Sequence, residues 1–224
     1  MGFDTLLLDI EGTVCPISFV KDVLFPHFAA EVPAIVQSTD ATIVEILSNF
    51  QINDPVKLQQ HILDLVARDV KDATLKQLQG HVWATGYQSG QIKAPVYKDA
   101  IDLIKRKSKI FIYSSGSVKA QKLLFEFVAD PSDYTKSIDL RPFIHGYFDI
   151  NTSGKKIEEQ SYKNILESIE MTQNPEQVLF LSDNPLELDA AKKAGLTVGL
   201  AIREGNAIVD NKSDYENYLD FSQL

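Results

Sequence analysis

The sequence is poor in cysteine, and this excludes a disulfide-stabilised fold. Cys15 is the single cysteine in 224 residues, so no disulfide can form within the chain. One thiol suits a reducing compartment, and we expect the protein in the cytoplasm, with the nucleus as a second location. Cys15 follows an acidic segment, which leaves a nucleophilic role open, although no histidine lies near it in the sequence.

Long apolar runs and an excess of positive charge are also missing. The N-terminus has neither a basic segment nor a long apolar stretch, so we predict no signal peptide and no transmembrane helix. Acidic residues outnumber basic ones by 31 to 22, which argues against nucleic acid or an anionic membrane as the main partner. A phosphate ester can still bind if a metal ion or a few local cations offset its charge.

Five short apolar runs predict the strands of one sheet. They cover residues 3–10, 110–113, 146–150, 178–181 and 197–202. Helical patterns alternate with the later runs, so we predict an α/β fold with a Rossmann-like parallel sheet and helices on both faces. The polar residues 129–142 are predicted as a loop, and the tail from Glu204 as loop-like, with its aromatic residues docked on the body.

The segment after the first strand has a different spacing of apolar residues. Residues 16–93 carry helical spacing without a convincing strand, and they are too many for an ordinary crossover. We therefore predict a core of residues 1–15 and 94–224 and an inserted all-helical cap of residues 16–93, able to close over the carboxyl ends of the strands. Asp54 before Pro55 predicts the N-cap of one cap helix.

Polar side chains follow several predicted strands. The first strand ends in Asp9 and Glu11, which alone is equally consistent with an acidic turn and with a ligand site. Gly12 permits a turn that brings both carboxylates to one side. Later strand ends or the loops after them supply Ser114, Ser115, Lys155, Lys156 and Asp183. In a parallel sheet these residues share one edge.

This set of side chains suits phosphoryl transfer. Asp9 can attack phosphorus as a nucleophile, and Glu11 can protonate the leaving oxygen and then activate water. A Mg²⁺ ion between Asp9 and Asp183 would offset the charge of the ester. Ser114 and one lysine would bind the non-bridging oxygens.

The same residues resemble a known family. Asp9-x-Glu11-Gly-Thr, Ser114, the lysine pair and Asp183-x-x-x-Glu187 match, in order, the four motifs of the haloacid dehalogenase superfamily. Glu11 stands where most members have Asp. Four segments, DIEGTVCPISFVKDVLFP, YSSGSVKAQKLLF, FDINTSGKKIEEQSY and LFLSDNPLELDAA, are similar to the enolase-phosphatases of methionine salvage, also called acireductone synthases.

The resemblance implies a monomeric enzyme with one Mg²⁺ per chain. It would enolise 2,3-diketo-5-methylthiopentyl-1-phosphate and then hydrolyse the phosphate, giving an acireductone. The implied metal ligands are Asp9, Asp183 and the main-chain carbonyl of Glu11, with Glu187 in support; the implied substrate contacts are Ser114, Ser115 and one lysine. We favour Lys156 over Lys155 for its spacing, and Glu11 is the candidate base for enolisation.

Two other functions stay open at this point. The chain could be a Mg²⁺-dependent sugar-phosphate phosphatase of the same superfamily, without the enolase step. It could also be an inactive relative that serves as a binding module, but the intact acidic and serine motifs argue against this. The four histidines are scattered without the spacing of metal ligands, so we interpret them as structural.

Overall fold

The computed structural model describes residues 3–68, 70 and 72–224. The chain forms two compact units. The core unit contains the residues up to Phe19 together with Lys93–Leu224, and the helical unit is Val20–Ile92. The action of the inserted residues as a cap stays a prediction.

The core unit is built on a six-stranded sheet with the order β5-β2-β1-β6-β7-β8. The strands of the chain are β1 (Thr5–Leu8), β2 (Lys109–Tyr113), β3 (Val128–Asp130), β4 (Asp133–Ile138), β5 (Gly146–Phe148), β6 (Val178–Ser182), β7 (Thr197–Ala201) and β8 (Glu216–Tyr218). Every pairing within the six-stranded sheet is parallel. The predicted parallel α/β core is therefore confirmed, and β1 lies in its middle with both faces buried.

Helices connect the strands of the core unit. They are α5 (Lys98–Arg106), α6 (Val118–Glu126), α7 (Glu159–Ser168) and α8 (Pro185–Lys193), and α1 to α4 belong to the helical unit. Ser117 caps α6, and Asn184 caps α8 by accepting from the backbone N–H of Leu186 at 3.0 Å. Gly195, with φ +97°, follows the last turn of α8 and ends the helix.

The helical unit consists of α1 (Phe25–Ile35), α2 (Ala41–Ser48), α3 (Pro55–Ala67) and α4 (Ala73–Gln88), preceded by a short π-helical turn at Val20–Leu24. Asp54 caps α3 by accepting from the N–H of Lys57 at 2.9 Å, which confirms the predicted helix start. Phe28, Ile62 and Leu78 are fully buried in its core. Within the described part of Val20–Ile92 there is no strand, as the sequence predicted.

Two loop predictions were wrong. Residues 129–142 contain most of an antiparallel hairpin of β3 and β4, whose mostly exposed polar side chains give no buried face to recognise. The tail contains β8, which pairs with β7 and buries Tyr218. The three residues of β8 are too few to produce an alternating pattern. Docking of the aromatic residues in the tail is confirmed, since Phe221 is fully buried. No helix in the described ranges is long and apolar enough to span a bilayer.

Candidate active site

A pocket opens at the carboxyl end of the core sheet. Asp9 follows β1 and Asp183 follows β6, and these two strands are neighbours in parallel register. The N–H of Asp9 donates to the carbonyl of Leu181 at 3.0 Å, which continues the sheet to the edge of the pocket. The volume is about 550 Å³, and the charged and hydroxyl lining residues include Asp9, Glu11, Ser115, Lys156, Asp183 and Glu187.

The acidic loop, residues 9–15, brings both of its carboxylates to this pocket. The N–H groups of Val14 and Cys15 donate to the carbonyl of Ile10, and the N–H of Gly12 donates back to the carbonyl of Cys15. Gly12 has φ +74°, and a Cβ at this position would lie 2.5 Å from Oδ2 of Asp183. Glycine is required here for its backbone conformation and for its close approach to the second carboxylate.

Lys156 lies among the carboxylates. Its Nζ is 2.5 Å from Oδ1 of Asp9 and 2.7 Å from Oε2 of Glu187, and its side chain is 8% exposed. Lys155 points elsewhere: its side chain is 74% exposed, with Nζ 3.7 Å from Glu158. Of the two lysines considered from sequence, Lys156 is the one in the pocket.

Two tyrosines hold the main chain that carries Lys156. The hydroxyl of Tyr162 donates to the carbonyl of Lys156 at 2.7 Å, and that of Tyr113 donates to the carbonyl of Gly154 at 2.7 Å. Their rings pack edge to face with centroids 5.5 Å apart. Sequence analysis missed Tyr113 as a supporting residue, because a tyrosine at the end of an apolar strand looks like an ordinary core position.

The two serines after β2 differ in their surroundings. Ser115 lines the pocket, whereas Ser114 is almost fully buried and its Oγ accepts from the N–H of Gly116 at 3.3 Å. The side-chain amide of Gln121 donates to the carbonyls of Gly116 and Phe148, at 2.7 and 2.8 Å. This amide connects the loop that carries Ser114 and Ser115 to β5. The sequence did not predict this role, because Gln121 lies on a helix face between apolar residues.

The pocket carries more negative than positive charge. Burial, followed by the charges of Asp9 and Glu187, raises the pKa of Asp183 to about 7. Burial also raises the pKa of Glu11 and of Glu187, and Asp9 adds to both shifts. Burial would lower the pKa of Lys156, but the carboxylates of Asp9 and Glu187 outweigh it and raise that pKa. A single ammonium does not satisfy these acids, so an additional cation would stabilise the ionised site.

The oxygen atoms of this pocket suit a hard cation such as Mg²⁺. Among the described residues, no three side chains of His, Cys, Asp or Glu form a preformed metal cage. The ligand set predicted from the resemblance does not need one, because it combines two carboxylates with a main-chain carbonyl. The pKa of Asp183 is raised because burial and nearby carboxylates disfavour its charge, and a cation at this carboxylate would offset both effects.

Cys15 does not have the properties of a nucleophile. It is fully buried, and burial together with the charge of Glu11 raises the pKa of its thiol. A thiol that stays protonated is a poor nucleophile. This argues against the catalytic role that the sequence left open for Cys15.

The chain is similar to known proteins over its whole length. A family model described as haloacid dehalogenase-like hydrolase matches residues 3–195. The chain is 62% identical to an enolase-phosphatase E1 from Saccharomyces cerevisiae, over 100% of this chain and 99% of that protein. The crystal structure of the UTR4 protein from Saccharomyces cerevisiae is similar over 100% of both chains, with a TM-score of 0.95 and 61% identity. CbbY from Rhodobacter sphaeroides, solved with xylulose-1,5-bisphosphate, has a TM-score of 0.62 at 15% identity over 100% of this chain and 96% of its own, which indicates a shared fold.

Proposed function

Because the chain belongs to the enolase-phosphatase family of the haloacid dehalogenase-like hydrolases, we propose that it converts 2,3-diketo-5-methylthiopentyl-1-phosphate to an acireductone and phosphate in methionine salvage. The observation that carries the chemistry is the meeting of Asp9, Glu11 and Lys156 in one pocket. A nucleophile, a proton donor and a cation for the phosphate are thereby available together.

Asp9 is the nucleophile in this mechanism. Its Oδ1 is bound to Lys156, so Oδ2 is the oxygen free to attack phosphorus. The new bond joins Oδ2 to phosphorus while the bond from phosphorus to the leaving oxygen breaks, and Glu11 donates a proton to that oxygen. Water then attacks the aspartyl-phosphate, Glu11 takes a proton from it, and the Asp9 carboxylate is released with inorganic phosphate. Ser115 and Lys156 line the pocket and hold the phosphoryl oxygens, whereas the contact expected of Ser114 stays a prediction because this residue is almost fully buried.

The residues that would hold Mg²⁺ are Asp9, Asp183 and the main-chain carbonyl of Glu11. The bound ion would neutralise phosphate charge and polarise the substrate carbonyl. Glu187 supports the site without being one of these ligands. Its Oε2 accepts from the hydroxyl of Ser182 at 2.8 Å and pairs with Nζ of Lys156. It therefore fixes the ammonium that faces Asp9.

Glu11 is the proposed base for enolisation. Its pKa is raised chiefly by burial, which makes its carboxylate a stronger base than an exposed glutamate. Its side chain is also one methylene longer than the aspartate usual at this position in the superfamily, so it reaches further toward the carbon skeleton. Glu11→Asp should slow enol formation more than phosphate release. The assignment fails if enolisation stays intact while phosphate release alone is impaired.

An apolar wall in the same pocket suits the methylthio tail. Ile17, Ala207, Ile208 and Val209 all line it. Ile17 is 39% exposed and Ile208 is 94% exposed, so both offer apolar surface to a ligand. A thioether chain recovers free energy on such a surface, whereas a hydroxylated sugar chain loses hydrogen bonds to water there.

The test of the proposed function follows the diketo phosphate with and without Mg²⁺, recording enol absorbance and free phosphate together. Both signals should require Mg²⁺, and Asp9→Asn should abolish phosphate release while the protein stays folded. A sugar-phosphate phosphatase is the second candidate, and the full-length identity to an enolase-phosphatase does not favour it. Equal turnover of generic sugar phosphates and the methylthio substrate would reverse that conclusion.

The protein is also proposed to act as a monomer in the cytoplasm, with the nucleus as a second location. Sedimentation at micromolar concentration and imaging of a tagged chain test the two statements separately.

A further inference from the structure

A turn after β7 contacts the acidic loop, residues 9–15, through two side chains. The turn, residues 203–206, closes with a hydrogen bond from the N–H of Asn206 to the carbonyl of Arg203 at 3.2 Å. In the sheet, β6 separates β1 from β7. The turn therefore contacts the loop after β1 across β6, the strand that precedes Asp183.

Asn206 makes the first of two contacts with the loop. Its Nδ2 donates to the carbonyl of Gly12 at 2.8 Å and to the carbonyl of Ala201 at 3.2 Å, so one amide joins the acidic loop to the end of β7. Both acceptors are carbonyls, which fixes the orientation of the amide. Its Oδ1 is buried, finds no hydrogen-bond partner in the described residues, and lies 2.9 Å from the place of a Gly12 Cβ.

Arg203 makes the second contact. Its Nε donates to the carbonyl of Thr13 at 3.0 Å, and its side chain is 6% exposed. The guanidinium also pairs with Asp99 at 2.7 Å and lies between the rings of Tyr97 and Phe221, 4.6 and 4.2 Å from their centroids. A guanidinium held by an ion pair and two rings has little freedom, so its donor fixes the position of Thr13.

The two carbonyls follow Glu11 directly in the chain. Gly12 approaches the Asp183 carboxylate so closely that a Cβ would overlap it, and the position of this loop therefore sets the spacing between Asp183 and the acids after β1. We propose that Arg203 and Asn206 are positioning residues for the acidic loop and hold Asp9, Glu11 and Asp183 at the separation that a divalent cation requires. The inference rests on the proposed function for its activity readout alone.

The chain offers matched controls for both residues. Asn217 also donates through Nδ2 to two carbonyls, those of Lys212 and Tyr215, both at 3.1 Å. Arg141 also pairs with carboxylates, those of Glu126 and Asp139, at 2.7 and 2.8 Å. These contacts are to the tail, to α6 and to the residue after β4, and none of the contacted residues holds Arg203 or the acidic loop. The two controls therefore report the general cost of losing such polar contacts.

The test compares Asn206→Ala with Asn217→Ala, and Arg203→Lys with Arg141→Lys. The first readout is the rise in melting temperature with added Mg²⁺, which needs no turnover. Asn206→Ala and Arg203→Lys should raise the Mg²⁺ concentration for the half-maximal rise by about 10-fold to 100-fold, as loss of residues that orient metal ligands typically does. The controls should leave it unchanged.

The second readout is phosphate release, where kcat should fall with KM for the diketo phosphate nearly constant. Equal Mg²⁺ responses for the 206 and 217 variants, corrected for their stability without metal, would overturn the inference. Arg203→Lys keeps the charge and gives an independent answer if the alanine variant does not fold. If the wild type responds to Mg²⁺ but releases no phosphate, the proposed function fails, and the melting data still decide the positioning role.

Discussion

The ammonium of Lys156 bridges Asp9 and Glu187, at 2.5 Å from one carboxylate and 2.7 Å from the other. All three side chains are largely buried, and the bridge joins a residue after β1 to a residue on α8. The same contact has two effects. It holds the nucleophile in one orientation, and it keeps a positive charge where a phosphoryl group would arrive.

Removal of this ammonium should cost stability as well as activity. Lys156→Met leaves two buried carboxylates without their cation and should lower the free energy of unfolding by about 3–5 kcal/mol in urea denaturation. Lys155→Met, at an exposed position, should change it by less than about 0.5 kcal/mol. Equal effects of the two substitutions would contradict the assignment of Lys156 to the buried network.

The stability of the metal-free protein should depend on Asp183. Its folded pKa of about 7 lies above the unfolded value of about 3.9, so the folded state binds the proton more tightly. The contribution of this group is fully present below the unfolded pKa and is lost as the pH rises toward 7. Asp183→Asn should remove this part of the pH dependence, measured by denaturation in EDTA between pH 4 and 8.

Addition of Mg²⁺ tests whether Asp183 is a metal ligand or only one of several buried charges that make stability depend on pH. The ion should stabilise the wild type more at pH 8 than at pH 5, since it competes with protons for the carboxylates. Asp183→Asn should show little stabilisation at either pH. A variant that keeps the full Mg²⁺ response would remove Asp183 from the proposed ligand set.

Gly12 and Gly90 form a natural pair for testing the close approach at the site. Both have positive φ, +74° and +79°, but a Cβ would meet Asp183 only at Gly12, and nothing lies within 4 Å at Gly90. Alanine at either position should cost about 1–2 kcal/mol of stability from the backbone. Gly12→Ala alone should also reduce phosphate release by more than about tenfold, because a misplaced catalytic group costs this much or more.

The apolar wall predicts a change in substrate preference. Ile208→Ser should raise KM for the methylthio substrate and leave the KM for a short phosphate ester unchanged, since the short ester does not reach the wall. The loss should be about 1.5–3 kcal/mol at most, the value of one fully buried aliphatic side chain. Equal KM increases for both esters would place Ile208 near the phosphate rather than the tail.

The sequence predicted those parts of the fold that bury apolar residues. The leucines of β1 and the run at β6 are continuous and fully buried, and their turn residues mark the strand ends. The β3–β4 hairpin and β8 were missed because most of their side chains face solvent, so their pairing comes from backbone hydrogen bonds, which leave no pattern in the sequence.

For the candidate site, the sequence predicted most of the residues that line the pocket but not the residues that hold them in place. Asp9, Glu11, Ser115, Lys156, Asp183 and Glu187 line one pocket, as the motifs predicted, whereas Ser114 was predicted with them and is not among the lining residues. The residues that hold them were not predicted, with Tyr113, Gln121 and Arg203 as examples. Each acts through main-chain carbonyls, and a carbonyl acceptor is present at every position of the chain, so no residue pattern identifies which one is used.

The strand order has a consequence for synthesis of the chain on the ribosome. β1 pairs on one side with Lys109–Tyr113 and on the other with Val178–Ser182, so its second neighbour is made only after most of the protein has been translated. Until then the leucines of β1 have no completed sheet to enter. Such long-range pairing folds slowly and leaves an apolar edge open to other chains. Until β6 emerges, β1 can pair only with β2, and one edge of this buried strand stays unpaired.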